Sequence, residues 1–231
     1  MKQINVLDYL KKPGYQVALM STYSVDLAFF EKMIVRELIE NECTYIGLFA
    51  DQGSLTEALT KPNVTEIGKR YVVKGVETKR AFHPKMFLLL GERKAKLIIG
   101  SGNLTPAGLI TNYEVFEEFQ FDQDNHRDLK EIQEAFAFFQ SCYQTTDHPA
   151  LLSIFQKAES FHYLFQETPQ KSRLLTNTKE SLHEQLLDYM PEQVNTIECF
   201  SPYYDQSLSL LKYWNRYFSP NSIKVYLQNH H

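Results

Sequence analysis

Residues 82–114 of this chain read FHPKMFLLLGERKAKLIIGSGNLTPAGLITNYE, and few folds can accommodate them. Two apolar runs, Phe82–Leu90 and Lys96–Ile99, are separated by Gly91 and a charged turn. That is the pattern of two adjacent buried strands. Polar groups interrupt it at particular places. His83 and Lys85 are two residues apart, so on a strand both side chains leave the same face. Gly100-Ser101-Gly102-Asn103 follows the second run directly, and Glu114 opens a third strand-like run. Imidazole, ammonium, hydroxyl, amide and carboxylate groups are thus expected at the ends of neighbouring strands.

The preceding residues alternate between strand and helix signals. Residues 1–14 predict a short helix closed by Lys12-Pro13-Gly14. Val17–Met20 and Thr44–Ala50 predict short strands, the second ended by Asp51-Gln52-Gly53. Between them Leu27, Phe30, Ile34 and Leu38 recur at helical spacing over Val25–Ile39, with Ser24 as the expected cap. Thr56–Leu59 predicts a short helix and Tyr71–Lys74 a short strand. Alternation of this kind implies an α/β fold with a mixed, mainly parallel sheet flanked by helices. Ligands in such sheets bind off the strand ends.

After Asp122 the pattern turns helical. Asp124–Tyr143 places Leu129, Ile132, Phe136 and Phe139 on one face, Pro149 starts a second segment to about Phe165, and Thr178–Tyr189 forms a third. Near Thr196 the opening pattern returns: Ser201-Pro202-Tyr203 falls against Ser21-Thr22-Tyr23 at an offset of 180. An amphipathic helix and the apolar run Ile223–Gln228 follow, as they do before Tyr45–Ala50. The expected organisation is one α/β half over 1–122, a helical connecting segment over 123–194, and the start of a second, truncated half over 195–231. On that reading the chain is the amino-terminal part of a longer, internally duplicated protein.

Lys and Arg total 24 against 28 Asp and Glu, a net charge of −4, which opposes sequence-independent coating of nucleic acid by the whole surface. Lys69–Lys96 nevertheless holds nine basic residues against two acidic ones, consistent with a local basic cleft or a solvated face. Cys43, Cys142 and Cys199 are widely spaced, with neither a disulfide framework nor metal-ligand spacing. The first residues lack the apolar core of a signal peptide, and no run approaches the roughly 20 apolar residues of a membrane span. A cytoplasmic protein with no membrane partner, no metal and no cofactor is expected.

The residues at 83–114 suit a phosphate. Lys85 supplies positive charge, Ser101 and Asn103 supply hydrogen-bond donors, and small residues at 100–102 admit close approach to the backbone. His83 can serve as nucleophile or acid–base group, and Glu114 could hold its far ring nitrogen. Taken singly, each residue has an ordinary structural use; the combination in this order is the specific signal.

His83-Pro84-Lys85, then Gly100-Ser101-Gly102-Asn103 after an apolar strand, then Asn112-Tyr113-Glu114, resemble the phospholipase D superfamily, and most closely its nuclease-like branch of restriction-endonuclease and helicase-associated domains. One position departs: the aspartate five residues after the lysine in the fuller pattern is Leu90 here, as in many nuclease-like members. The resemblance implies a metal-independent phosphodiesterase, a nuclease acting on DNA. His83 would form a phosphohistidine, Lys85, Ser101 and Asn103 would hold the phosphate, and Glu114 would orient His83. It also implies a second histidine, from a homodimer partner or an intramolecular second half, because only one H-x-K occurs here. His126, His148, His162 and His183 lack the accompanying pattern and read as surface or structural residues. The competing expectations are a phospholipase or phosphatidyltransferase of the same superfamily and a non-catalytic domain for nucleic-acid binding or assembly.

Overall fold

A computed structural model describes residues 6–79, 81–143, 148–169, 171–176, 181–191, 193–201 and 204–226. Two compact units divide between Leu174 and Leu175.

The first unit is built on a six-stranded sheet in the order β3-β2-β1-β4-β5-β6. The strands are β1 (Val17–Thr22), β2 (Tyr45–Asp51), β3 (Val72–Val76), β4 (Met86–Leu90), β5 (Lys94–Gly100) and β6 (Phe116–Asp122). β1, β2 and β3 are parallel, whereas β4 pairs antiparallel with β1, β5 with β4, and β6 with β5. The sheet is therefore mixed, with β1, β2, β3 and β5 running one way and β4 and β6 the other. β1 and β4 are buried along their whole length, which explains the apolar run of Val17–Met20 in β1 and the fully apolar Met86–Leu90 of β4.

Helices cover both faces. On one, α1 (Val6–Leu10) and a continuous helical run from Leu27 to Glu40 pack with Ala18, Met20, Leu48, Phe87, Leu89 and Ile98. That run comprises α2 (Leu27–Phe29), a π-helical segment over Phe30–Val35 and α3 (Arg36–Glu40). Its cap is Asp26 rather than the expected Ser24: Asp26 Oδ1 accepts from Phe29 N at 2.9 Å. α4 (Gln52–Leu59) starts straight from the end of β2, capped by Asp51. The opposite face takes α5 (Leu129–Tyr143) and α6 (Pro149–Glu159).

These two helices belong to the first unit, where a separate connecting segment beginning at residue 123 was expected. The reason is packing. Leu129, Ile132, Phe136 and Phe139, with Leu151, Ile154 and Phe155, share one core with Val17, Leu19, Leu88 and Leu97 of the sheet. Arg173 closes this unit. Its Nε donates to the buried Glu131 carboxylate at 2.9 Å and its Nη2 to Asp128 at 2.8 Å. A buried carboxylate without such partners would be costly.

In the second unit α7 (Leu182–Leu187) opens with a capping box formed by Ser181 and Glu184. Then β7 (Thr196–Phe200), α8 (Ser209–Phe218) and β8 (Ser222–Tyr226) follow, β7 pairing parallel with β8. The element order and parallel pairing match those of β1, its following helix and β2. Pro202 and Tyr203, Thr178 at the start of the expected helix, and Gln228 lie outside the described residues.

Phe139 is fully buried, with its ring 5.5 Å from that of Phe49 and 5.6 Å from that of Phe138. Phe139→Ala is expected to lower the unfolding free energy by roughly 3–5 kcal/mol, read from a urea titration, because sheet and helix cannot close the cavity.

Candidate active site

The expected strand Phe82–Leu90 is shorter in the fold. β4 begins at Met86, and His83, Pro84 and Lys85 form its lead-in. Pro84 has no N–H to give a ladder, so pairing starts beyond it. Gly100 N still donates to Lys85 O at 3.0 Å, tying the lead-in to the end of β5. Lys85 turns inward and is 6% exposed, while His83 stays at the surface. Lys85 Nζ lies 2.7 Å from His83 Nδ1 and donates to His83 O at 3.0 Å. The two side chains therefore meet, although neither residue lies within the strand on which the spacing placed them on one face.

The Gly-Ser-Gly-Asn turn joins them through β1. Asn103 Oδ1 accepts from Ser24 N at 3.3 Å. Thr22 Oγ1 accepts from Leu104 N at 3.1 Å and donates to Ser24 O at 2.8 Å. Tyr23, held between these contacts, sets its ring 5.0 Å from that of His83. With its oxygen occupied, the Asn103 side chain retains its NH2 group as a donor.

Two glycines make this turn possible. A Cβ on Gly102 would lie 2.2 Å from Gly108 O, and a Cβ on Gly108 would lie 2.5 Å from Asn103 N. These are backbone contacts, so no side chain can swing away to relieve them. The turn and the following π-helical segment, Ala107–Thr111, interlock at these glycines.

Glu114 is where the structure departs most from expectation. Its carboxylate accepts from Ser101 Oγ and, at 3.3 Å, from Asn112 Nδ2. Ser101 Oγ in turn accepts from Val115 N at 3.0 Å. Among the described residues Glu114 has no hydrogen bond to His83. The physical reason is placement: Glu114 precedes β6, which begins at Phe116, and β6 pairs with β5, so the carboxylate meets Ser101 at the end of β5. Its negative charge acts on Lys85 instead. The carboxylate whose charge reaches His83 is Asp51. The sequence marked Asp51 only as the end of a strand.

The charges set the protonation states. Burial pulls the Lys85 ammonium down to about 8, with Glu114 opposing. The surrounding protein, and then Lys85, hold the His83 imidazole below its ordinary value, with Asp51 opposing. A neutral imidazole keeps a lone pair for attack, and a charged Lys85 beside it attracts an anion. Of the two readings of Lys69–Lys96, a local basic cleft or a solvated face, the first does not hold for Lys94 and Lys96. Lys96 is buried against Glu118, and Lys94 donates to Pro13 O at the opposite end of the sheet. Among the described residues no group of three His, Cys, Asp or Glu side chains is placed to hold a metal ion, and no helix is long and apolar enough to cross a membrane.

Affinity for a phosphodiester monoanion should follow the Lys85 charge. Dimethyl phosphate binding, followed by chemical-shift titration, is expected to be retained at neutral pH and to weaken as pH rises through about 8, where the ammonium loses its proton. In Lys85→Arg the guanidinium stays charged and the loss at this pH should disappear.

No protein-family profile and no curated protein matches the sequence. Solved structures do match by fold. A mutant of yeast tyrosyl-DNA phosphodiesterase aligns at TM-score 0.54 and 14% identity, over 87% of this chain and 49% of that one. Polyphosphate kinase from Porphyromonas gingivalis aligns at TM-score 0.53 and 10% identity, over 97% of this chain and 36% of that one. This chain thus spans half or less of the length of these two structures. Identities this low speak for the fold alone. His83-Pro84-Lys85 and Gly100-Ser101-Gly102-Asn103 sit together at the strand ends of that shared architecture, and the chain has the phospholipase D-like fold.

Proposed function

We propose that this chain supplies one half-site of a metal-independent phosphodiesterase that cleaves nucleic acid, DNA in the first instance. The observation that carries the reading is the contact of Lys85 Nζ with His83 Nδ1, 2.7 Å apart, at the same sheet end as the Asn103 amide. A ring nitrogen of His83 attacks phosphorus, and an N–P bond forms as a P–O bond to the leaving group breaks. Lys85 and the Asn103 NH2 group hold the non-bridging oxygens and offset the charge that builds on them. Water then hydrolyses the phosphohistidine and frees the imidazole. Ser101 acts at one remove by holding Glu114, and Glu114 sustains the Lys85 charge.

The leaving oxygen needs a proton, and a second histidine from an equivalent half-site gives it. Two arrangements would provide that half-site: a second copy of this chain across a two-fold axis, or a second half of the same fold in a longer protein. The β7-α8-β8 unit, with the same element order and parallel pairing as β1, its following helix and β2, supports the second arrangement. The free thiols of Cys43, Cys142 and Cys199 accord with a cytoplasmic setting.

The test is cleavage of short DNA duplexes and single strands in EDTA, by dimeric or full-length protein. Activity is expected to persist in the chelator and to fall by roughly 10³ in His83→Ala. A well-folded wild-type dimer or full-length protein that leaves every DNA substrate intact would defeat the proposal.

A further inference from the structure

We infer that Asp51 is a positioning residue for His83: its carboxylate clamps the histidine-bearing segment to the end of β2 and sets a negative charge on the imidazole side of the site. This rests on the reading of His83 as the reacting group.

The geometry is that of a bridge. Asp51 Oδ1 accepts from Gly53 N at 3.1 Å and from Ser54 N at 3.2 Å, capping α4. Capping needs only that oxygen. Oδ2 instead accepts from Phe82 N at 3.0 Å, the amide immediately before His83. One carboxylate thus joins a helix start to a segment 31 residues further along the chain. The Phe82 side chain is buried, its ring stacked 6.2 Å from that of Phe138. His83 therefore follows a residue anchored through both backbone and side chain, and Lys85 O is held by Gly100 N on the other side. Misplacing a reacting group by about 1 Å can cost on the order of a hundredfold in rate.

Three other groups bear on the same imidazole. The Lys85 ammonium touches it, the Tyr23 ring packs 5.0 Å away, and Glu114 acts indirectly through Lys85. Lys85 and the surrounding protein both favour the neutral ring, and Asp51 opposes them. Asp51 thereby holds the ring's basicity, and with it its nucleophilicity, above what burial beside an ammonium would leave.

Two variants separate bridge from cap. Asp51→Asn keeps the shape and one acceptor oxygen but loses the charge. Asp51→Ser keeps a good helix cap and loses both the charge and the reach to Phe82. His83 ring protons, followed by NMR on the free chain without substrate, are expected to titrate at lower pH in both variants than in wild type. The Phe82 amide is expected to exchange with solvent at least about tenfold faster in Asp51→Ser. A folded Asp51→Asn or Asp51→Ser protein whose His83 titrates as in wild type would overturn the inference and leave Asp51 as a helix cap. Where the wild type cleaves DNA, both variants should lower kcat with KM unchanged; a change in KM alone would also overturn it. Wild-type protein without any cleavage would count against the phosphodiesterase reading, while the titration still judges Asp51.

Discussion

The register of three neighbouring strands decides where chemistry can occur in this molecule. Ser21 of β1 lies opposite Met86 of β4, and Met86 lies opposite Ile99 of β5. Because β4 runs against both neighbours, its beginning meets their ends. The residues just before Met86, just after Thr22 and just after Ile99 therefore emerge at one edge of the sheet. His83, Lys85, Tyr23 and Asn103 are those residues. A one-residue slip of β4 would turn every one of its side chains to the other face and carry Lys85 away from the site. The register is well specified because Phe87 and Leu89 belong to one core while Met86, Leu88 and Leu90 belong to the other.

Electrostatics at this edge is arranged in opposed pairs. Lys85 bears on His83, and Asp51 offsets part of that effect; burial weakens the Lys85 charge, and Glu114 offsets part of that. Both carboxylates are held in place: Asp51 accepts from three backbone amides, and Glu114 from the side chains of Ser101 and Asn112. Each acts on the site through its field and its hold on a neighbour.

The parts of this arrangement legible in the sequence are those encoded locally. His83 and Lys85 lie two residues apart, the Gly-Ser-Gly-Asn turn is contiguous, and continuous apolar runs marked β1, β4 and β5 as buried. What the sequence hid depends on contacts between distant segments. Asp51 resembles any acidic residue at a strand end, and its role exists only once Phe82 arrives beside it. Ser24 has the chemistry of a helix cap, but the helix starts at Leu27, two residues too late for it, and Asp26 caps instead. The basic bias of Lys69–Lys96 left a cleft and a solvated face both open because sequence distance says nothing of sheet ends; β5 carries Lys94 to the far end and buries Lys96 on the way. The resemblance gives Glu114 to His83, whereas the pairing of β6 with β5 delivers it to Ser101.

The interlocked glycines beside Asn103 bear on how the site would meet a ligand. A loop that must become ordered around an anion loses conformational entropy at the moment of capture, and affinity drops accordingly. Here a side chain on Gly102 or Gly108 would run into backbone, of Gly108 and Asn103 respectively, so the turn that presents the Asn103 amide closes only with glycine at both positions. The geometry that offers the amide is thus written into two residues that carry no chemistry of their own, and a methyl group at either would disturb the site without touching a single one of its polar groups.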